Sequence, residues 1–185
     1  VDRIRVVGTS GSGKSTTASA IARTLGIPCL ELDAVHWLPG WQERDAEDFR
    51  RKVLSFAAQP RWVIDGNYSG RLGDRLDDVV DTYVWLDLPR WRVTGAVLHR
   101  TIRRAVTRKE LWNGNYERLG SLLERDPVDN IVLWSWTQYP LQRARYEEKH
   151  RVSSHRWIRL QSRRAVRRFL DALGERNRQT SRPTS

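Results

Sequence analysis

The sequence predicts an α/β fold, a single domain in which buried strands alternate with amphipathic helices. Three observations carry that prediction. The apolar run Ile4 to Val7 leads straight into Gly8-Thr9-Ser10-Gly11-Ser12-Gly13-Lys14-Ser15-Thr16 and then into a helix-compatible stretch ending near Leu25. Two later apolar runs close in the same manner on a carboxylate, at Asp65 and Asp87, and helix-period segments lie between the runs. Finally, 185 residues fill one α/β core, whereas a second would be cramped.

The first strand is Arg3 to Gly8, and the loop after it has the spacing Gly-x4-Gly-Lys-Ser. Glycines there let backbone N–H groups converge on phosphate oxygens with no Cβ in the way. Lys14 then reaches the β- and γ-phosphates, Ser15 is a Mg²⁺ ligand, and the helix opening near Ser15 adds its positive end. That helix stops at Gly26 and Pro28. Ile27 to Asp33 reads as the second strand, with Glu31 and Asp33 on one side of its C-terminal end, where α/β sheets collect ligands. Asp33 is thus expected where a γ-phosphate meets an acceptor hydroxyl.

Trp37-Leu38-Pro39-Gly40-Trp41 is an aromatic turn, since Pro39-Gly40 breaks a helix. Its tryptophans either stack on a ring of the ligand or pack a hinge, and His36 reads as a polar residue satisfied near the core. Asp45 to Gln59 is an amphipathic helix with Phe49, Val53 and Phe56 on one face, ended by Pro60. Trp62 to Asp65 is the third strand; Asp65 fits the acidic Mg²⁺ partner, Gly66 admits a ligand to the backbone, and Arg71 follows at the same edge. Thr82 to Leu88 is the fourth, with Asp87 in a turn or capping role.

Arg90 to Thr107 reads as a long helix carrying Arg100 and Arg104 four apart on one face, a bidentate clamp for phosphate, flanked by Arg103 and Arg108. About 105–130, with turn signals at Asn113-Gly114 and Asp126-Pro127, suits a helical lid that excludes water. Ile131 to His150 is helical apart from a break at Pro140, and Arg143 and Arg145 return positive charge towards the lid. Trp157 to Leu160 is the last strand, and a final helix presents Val166, Phe169, Leu170 and Leu173. The domain is expected to span 1–173, with 174–185 a disordered basic tail.

Composition narrows the partners. Residues 1–89 carry 11 basic and 13 acidic side chains, residues 90–185 carry 22 and 9, so the halves stand at −2 and +13. Either the second half clamps a polyphosphate or it holds nucleic acid, with hydrolysis as timing. No helix-turn-helix, zinc or RNA-binding signature accompanies the charge, so nucleic acid is the second choice. Cys29 is the only cysteine and reads as core packing, which rules out an internal disulfide or a cysteine metal site. Without an 18-residue apolar run or a secretory leader, the expectation is a cytoplasmic protein with no membrane contact, monomeric or homodimeric.

The ordered set of phosphate loop, Asp33, Asp65-Gly66 and arginine-bearing helix resembles the adenylate kinase-like superfamily of P-loop phosphotransferases. Leu32-Asp33 with Trp37-x-Pro39-Gly40-Trp41, Trp62-Val63-Ile64-Asp65-Gly66-Asn67-Tyr68 and Leu86-Asp87-x-Pro89-Arg90 is more narrowly similar to the bacterial family labelled DNA topology modulation protein or adenylate kinase-related kinase. The resemblance implies a three-layer α/β/α P-loop NTPase fold, a five-stranded parallel sheet in the order 2-3-1-4-5, an inserted lid, and ATP with Mg²⁺. It implies that Lys14, Asp33, Arg100 and Arg104 are catalytic and that Ser15 and Asp65 hold the metal. Gly8 and Ser10 to Thr16 hold the donor phosphates together with Arg100, and Gln161 and Arg163 lie where the adenine ring passes. Asp33, Trp37, Gly66, Asn67, Arg71 and Arg143 make up the acceptor set. Nucleoside monophosphate kinases have Phe-Pro-Arg after Asp-Gly; here Asn67-Tyr68-Ser69 stands there. That departure sets this chain apart from adenylate kinases, and the expected acceptor is a small hydroxyl or phosphate compound, a nucleoside, a nucleotide or a related metabolite.

Overall fold

Alternation along each strand decides the layers. The computed structural model describes residues 2–73, 75–107, 110–116 and 130–180. Strands β1 (Arg3–Gly8), β2 (Cys29–Glu31), β5 (Trp62–Asp65), β6 (Thr82–Leu86) and β7 (Arg156–Leu160) form one parallel sheet, in the order β2-β5-β1-β6-β7. Between β2 and β5, β3 (Trp37–Leu38) and β4 (Gln42–Glu43) make a small antiparallel hairpin outside it. Counted by main-sheet strands alone, the order is the expected 2-3-1-4-5.

Ile4, Val6, Val63, Val84 and Leu86 point to one face, where α1 (Lys14–Leu25) and α7 (Arg163–Thr180) cover them through Ile21 and Phe169. Val7, Trp62, Ile64, Tyr83 and Trp85 point to the other, under α3 (Ala46–Ala57) through Phe49 and Val53 and under α6 (Ile131–Val152) through Tyr146. Fully burying a large apolar side chain is worth about 1.5–3 kcal/mol, so these two rows dominate the stability. A single turn, α4 (Ser69–Leu72), follows β5, and α5 (Arg90–Val106) leaves β6 through Leu88. No helix among the described residues is long and apolar enough to cross a membrane.

Several expectations need correction. The second strand stops at Glu31, because its partner β5 ends opposite it at Asp65; Leu32–His36 instead forms α2, with Leu32 buried beneath. Cys29 is exposed, since β2 is an edge strand paired on one side only. Pro140 does not break α6, which is continuous to Val152. Proline removes the N–H that would reach the Trp136 carbonyl. Arg90 replaces it, donating to that carbonyl from Nε and Nη2 at 3.0 and 2.7 Å while its guanidinium lies over the Trp136 ring. The tail was expected to be disordered from Gly174, yet α7 runs to Thr180; Asn177 anchors it by donating to the Thr24 carbonyl at 2.9 Å. The expected lid at 105–130 falls mainly on 108–109 and 117–129, outside the described residues.

Away from the C-terminal edge lies a buried ionic knot. Arg5 donates to Asp77 at 2.6 Å, and Tyr83 and Lys149 bond the same carboxylate. Burial opposes its ionisation, but the bonds from Lys149 and Tyr83 and the charge of Arg5 outweigh burial and hold the Asp77 carboxyl below its ordinary range.

Candidate active site

All the strands point their C-terminal ends at one cavity of about 2220 Å³. Pockets for one small ligand are typically about 300–1,000 Å³, so the volume suits two substrates side by side. Ser10, Gly11 and Gly13 to Thr16 line its floor. Gly11 has φ +81°, and a Cβ there would stand 2.2 Å from the Val93 carbonyl oxygen, so only glycine lets α5 close against the loop. Gly13, also left-handed, precedes α1, whose first turn receives no side-chain cap. Those N–H donors and the helix dipole suit an anion.

Lys14 donates from Nζ to the Thr9 carbonyl at 3.0 Å, folded back over the loop. Burial lowers its pKa, against the nearby charges of Asp65 and Asp33. Ser15 Oγ donates to Asp65 Oδ2 at 2.5 Å, and the second oxygen, Asp65 Oδ1, is buried with no hydrogen-bond partner. Burial pushes the Asp65 carboxyl up to about 6, with Lys14 and Ser15 pulling the other way. A hydroxyl beside an under-satisfied carboxylate is an all-oxygen donor set, which fits Mg²⁺; such an ion takes the rest of its shell from phosphate and water.

Asp33 sits in the first turn of α2 rather than at a strand end, and still faces the loop across the cavity. Tyr68 donates its hydroxyl to Asp33 Oδ1 at 2.7 Å and fixes the carboxylate. Burial, then Asp33 itself, pushes the Tyr68 hydroxyl well above its ordinary pKa. Gly66 and Asn67, expected in the acceptor set, line the cavity and also serve the scaffold. Gly66, at φ +137°, is needed because a Cβ would meet Leu32 Cβ at 2.8 Å. Asn67 donates to the Gly8 carbonyl and accepts from Tyr146, both at 2.6 Å, so its amide clamps the base of the phosphate loop to α6.

The opposite wall is basic. Arg92, Arg100, Arg103 and Arg104 from α5 and Arg163, Arg164 and Arg167 from α7 line the same cavity. Gln161 is exposed just before them and is not part of the lining, unlike Ser162 and Arg163. Arg143 is absent from this wall: it bonds Asp87 at 2.8 Å, and Arg159 bonds the other oxygen at 2.8 Å. Asp87 is therefore the centre of an ion-pair network rather than a turn cap. Arg71 pairs with Glu43 and donates to the Arg44 carbonyl at 2.9 Å.

The β3–β4 hairpin and residues 110–116 contribute Trp37, Trp41, Glu43, Leu111, Trp112 and Tyr116 to the lining. Asn115 Oδ1 accepts from the Trp41 backbone N–H at 2.8 Å, its Nδ2 donates to the Leu38 carbonyl at 2.9 Å, and Asn113 donates to the Trp37 carbonyl. Trp37 and Trp41 thus belong to the cavity and to a hinge-like junction at once. His36 is buried against Trp37, Phe49 and Tyr68, but its Nδ1 lacks a hydrogen-bond partner, so it is a core residue that is not fully satisfied. Sequence reasoning passed over Tyr68, Trp112, Arg164 and Arg167. The spacing of Arg163, Arg164 and Arg167 at the start of a helix was a readable signal; nothing local foretold that Tyr68 would turn back onto Asp33.

Residues 4–64 match the profile of the ATPase family associated with various cellular activities (AAA). The uncharacterized protein YqaC of Bacillus subtilis (strain 168) is 28% identical over 123 residues, covering 65% of this chain and 68% of its own. Among solved structures, a shikimate kinase from Bacteroides thetaiotaomicron superposes with a TM-score of 0.55 at 17% identity, over 94% of this chain and 97% of that one. A gluconokinase from Sinorhizobium meliloti 1021 superposes with a TM-score of 0.50 at 20% identity, over 98% of each chain. These likenesses show the fold alone, an α/β core like that of small P-loop kinases.

Proposed function

We propose that this P-loop protein is a phosphotransferase that moves the γ-phosphoryl group of Mg·ATP to a hydroxyl of a small acceptor, a nucleoside, nucleotide or related metabolite. One observation carries the reading: Lys14, Ser15 and the Asp33–Tyr68 pair line one cavity together with arginines of α5 and α7, and Ser15 is bonded to the buried Asp65.

The loop N–H groups and the start of α1 hold the donor phosphates, while Lys14, Arg100 and Arg104 neutralise charge that spreads over the γ-phosphoryl oxygens. Ser15 and Asp65 would hold Mg²⁺, which when bound supplies further neutralisation and orients the phosphates. Asp33, held by Tyr68, orients the acceptor hydroxyl and takes its proton. The bond from the γ-phosphorus to the β–γ bridging oxygen breaks and a bond to the acceptor oxygen forms, leaving ADP, a phosphate ester and one proton. Positioning supplies most of the acceleration, because phosphoryl transfer asks little covalent chemistry of the protein.

The test is Asp33→Asn, which keeps the Tyr68 bond but removes the proton acceptor. Label transfer from γ-labelled ATP to acceptor should fall about 10²–10⁴-fold with ATP affinity retained. Transfer within twofold of native would remove Asp33 from the chemistry.

A further inference from the structure

A side chain completes the ladder between β1 and β5. Along a strand, carbonyls two residues apart point to the same neighbour. The Val6 carbonyl accepts from the Gly66 N–H at 3.4 Å, and the next carbonyl on that side belongs to Gly8. β5 has ended at Asp65, and the Asn67 amide takes the rung instead, Nδ2 donating to the Gly8 carbonyl at 2.6 Å. A carbonyl can only accept, so it fixes which way the amide faces. Oδ1 is thereby turned to α6, where it accepts from the Tyr146 hydroxyl at 2.6 Å. Tyr146 is buried beside Trp85, and burial pushes its hydroxyl well above its ordinary pKa, so it stays a donor.

The peptide held in this way is the first of the phosphate loop. It is trans and planar, so fixing the Gly8 carbonyl also fixes the direction of the Thr9 N–H. One step on, the Thr9 carbonyl accepts from the Ser12 N–H at 3.2 Å and from Lys14 Nζ at 3.0 Å. A rotation of the Gly8–Thr9 peptide would therefore disturb both the turn that aims the loop N–H groups and the carbonyl on which Lys14 rests.

We propose that Asn67 and Tyr146 are positioning residues for the donor nucleotide. Through the Gly8–Thr9 peptide they hold the loop in the shape that receives the phosphates, and Asn67 serves the donor rather than the acceptor. Without the rung, part of the binding free energy goes into ordering the loop, and affinity falls. Tyr146 acts only by way of Asn67, so the two behave as one unit. The inference rests on the nucleotide-binding part of the phosphotransferase reading and needs no acceptor.

The experiment measures Mg·ADP binding to the full chain by calorimetry, with label transfer from γ-labelled ATP read beside it. Tyr139→Phe is the control, since Tyr139 is on the same helix and its hydroxyl donates to the Leu88 carbonyl at 3.0 Å, away from the phosphate loop. The loss of one such bond corresponds to about two- to tenfold in an equilibrium constant. Asn67→Ala should weaken Mg·ADP binding by about five- to tenfold and Tyr146→Phe by about three- to fivefold. Tyr139→Phe should stay within about 1.5-fold of native, although its urea midpoint falls about as far as that of Tyr146→Phe. The double variant Asn67→Ala/Tyr146→Phe should bind no more weakly than Asn67→Ala alone. Native affinity in Tyr146→Phe, equal losses in Tyr139→Phe and Tyr146→Phe, additive losses in the double variant, or a native chain that binds no Mg·ADP at millimolar concentration would each overturn the inference. Should Asn67→Ala not fold, Tyr146→Phe against Tyr139→Phe decides alone, because both keep the ring and its packing. The expected losses with no labelled acceptor from the native chain would uphold the positioning role and fault the phosphotransferase reading. Native affinity in every variant with label still transferred would do the reverse.

Discussion

Asp65 shows how a single residue links chemistry to stability. Its carboxyl is pushed up to about 6 by burial, against an ordinary 3.8. Between those values the folded chain binds more protons at this site than the unfolded chain, so this residue's contribution to stability falls as pH rises from about 4 to about 6 and is level above. The gap corresponds to roughly 3 kcal/mol. Urea midpoints taken across that window should fall with pH in the native protein and flatten in Asp65→Asn; an unchanged slope would show that Asp65 is not the group responsible. Asp77 and Asp87 act in the opposite sense. Both carboxyls lie below their ordinary range despite burial, Asp77 through Lys149, Tyr83 and Arg5 and Asp87 through Arg143 and Arg159, so their support is lost as pH falls below about 4. Burial with one oxygen left unpartnered raises one aspartate, and burial among cations lowers the others.

Elements are held by pairings that cross long stretches of sequence. Asp77 ties β1 through Arg5, β6 through Tyr83 and α6 through Lys149. Asp77→Ala should cost about 3–5 kcal/mol in urea unfolding, because it leaves the Arg5 charge buried; a loss below about 1 kcal/mol would contradict that. The junction of α5 and α6 offers a finer test. Arg90→Leu strands the Trp136 carbonyl and should cost about 1 kcal/mol, whereas in a Pro140→Ala background, where an N–H returns to that carbonyl, most of the cost should vanish. Equal costs in both backgrounds would separate Arg90 from the proline. These elements also mark what was legible beforehand. The strands at Arg3 to Gly8, Trp62 to Asp65 and Trp157 to Leu160 are legible because each sets apolar or β-branched residues just ahead of a loop signal. The end of β2 is not, since its length is set by the partner β5. Nor are the continuity of α6 and the last turns of α7, which depend on Arg90 and Thr24, far away in sequence. In the site the phosphate loop and Asp65 were readable from spacing. The inward turn of Asn67, the hold of Tyr68 on Asp33 and the capture of Arg143 by Asp87 were not, because each is a tertiary contact between residues at least 35 positions apart.

At the scale of the whole molecule, the chain's net charge of +11 is distributed by the fold rather than spread over it. Part of the basic second half is neutralised, as Arg143 and Arg159 are on Asp87 and Arg151 is on Glu148. Another part lines the cavity, where Arg92, Arg100, Arg103, Arg104, Arg163, Arg164 and Arg167 gather. A positive field concentrated inside a cleft draws a polyphosphate, whereas nucleic-acid binding calls for a basic track along a surface. The phosphotransferase reading is tested most directly by incubating the native protein and Lys14→Ala with γ-labelled Mg·ATP and a panel of nucleosides, nucleoside monophosphates and sugars. Label should pass from ATP to an acceptor hydroxyl with the native protein and fall at least about 10²–10³-fold in the folded variant. Slow release of inorganic phosphate with no labelled acceptor, or equal transfer by Lys14→Ala, would contradict it.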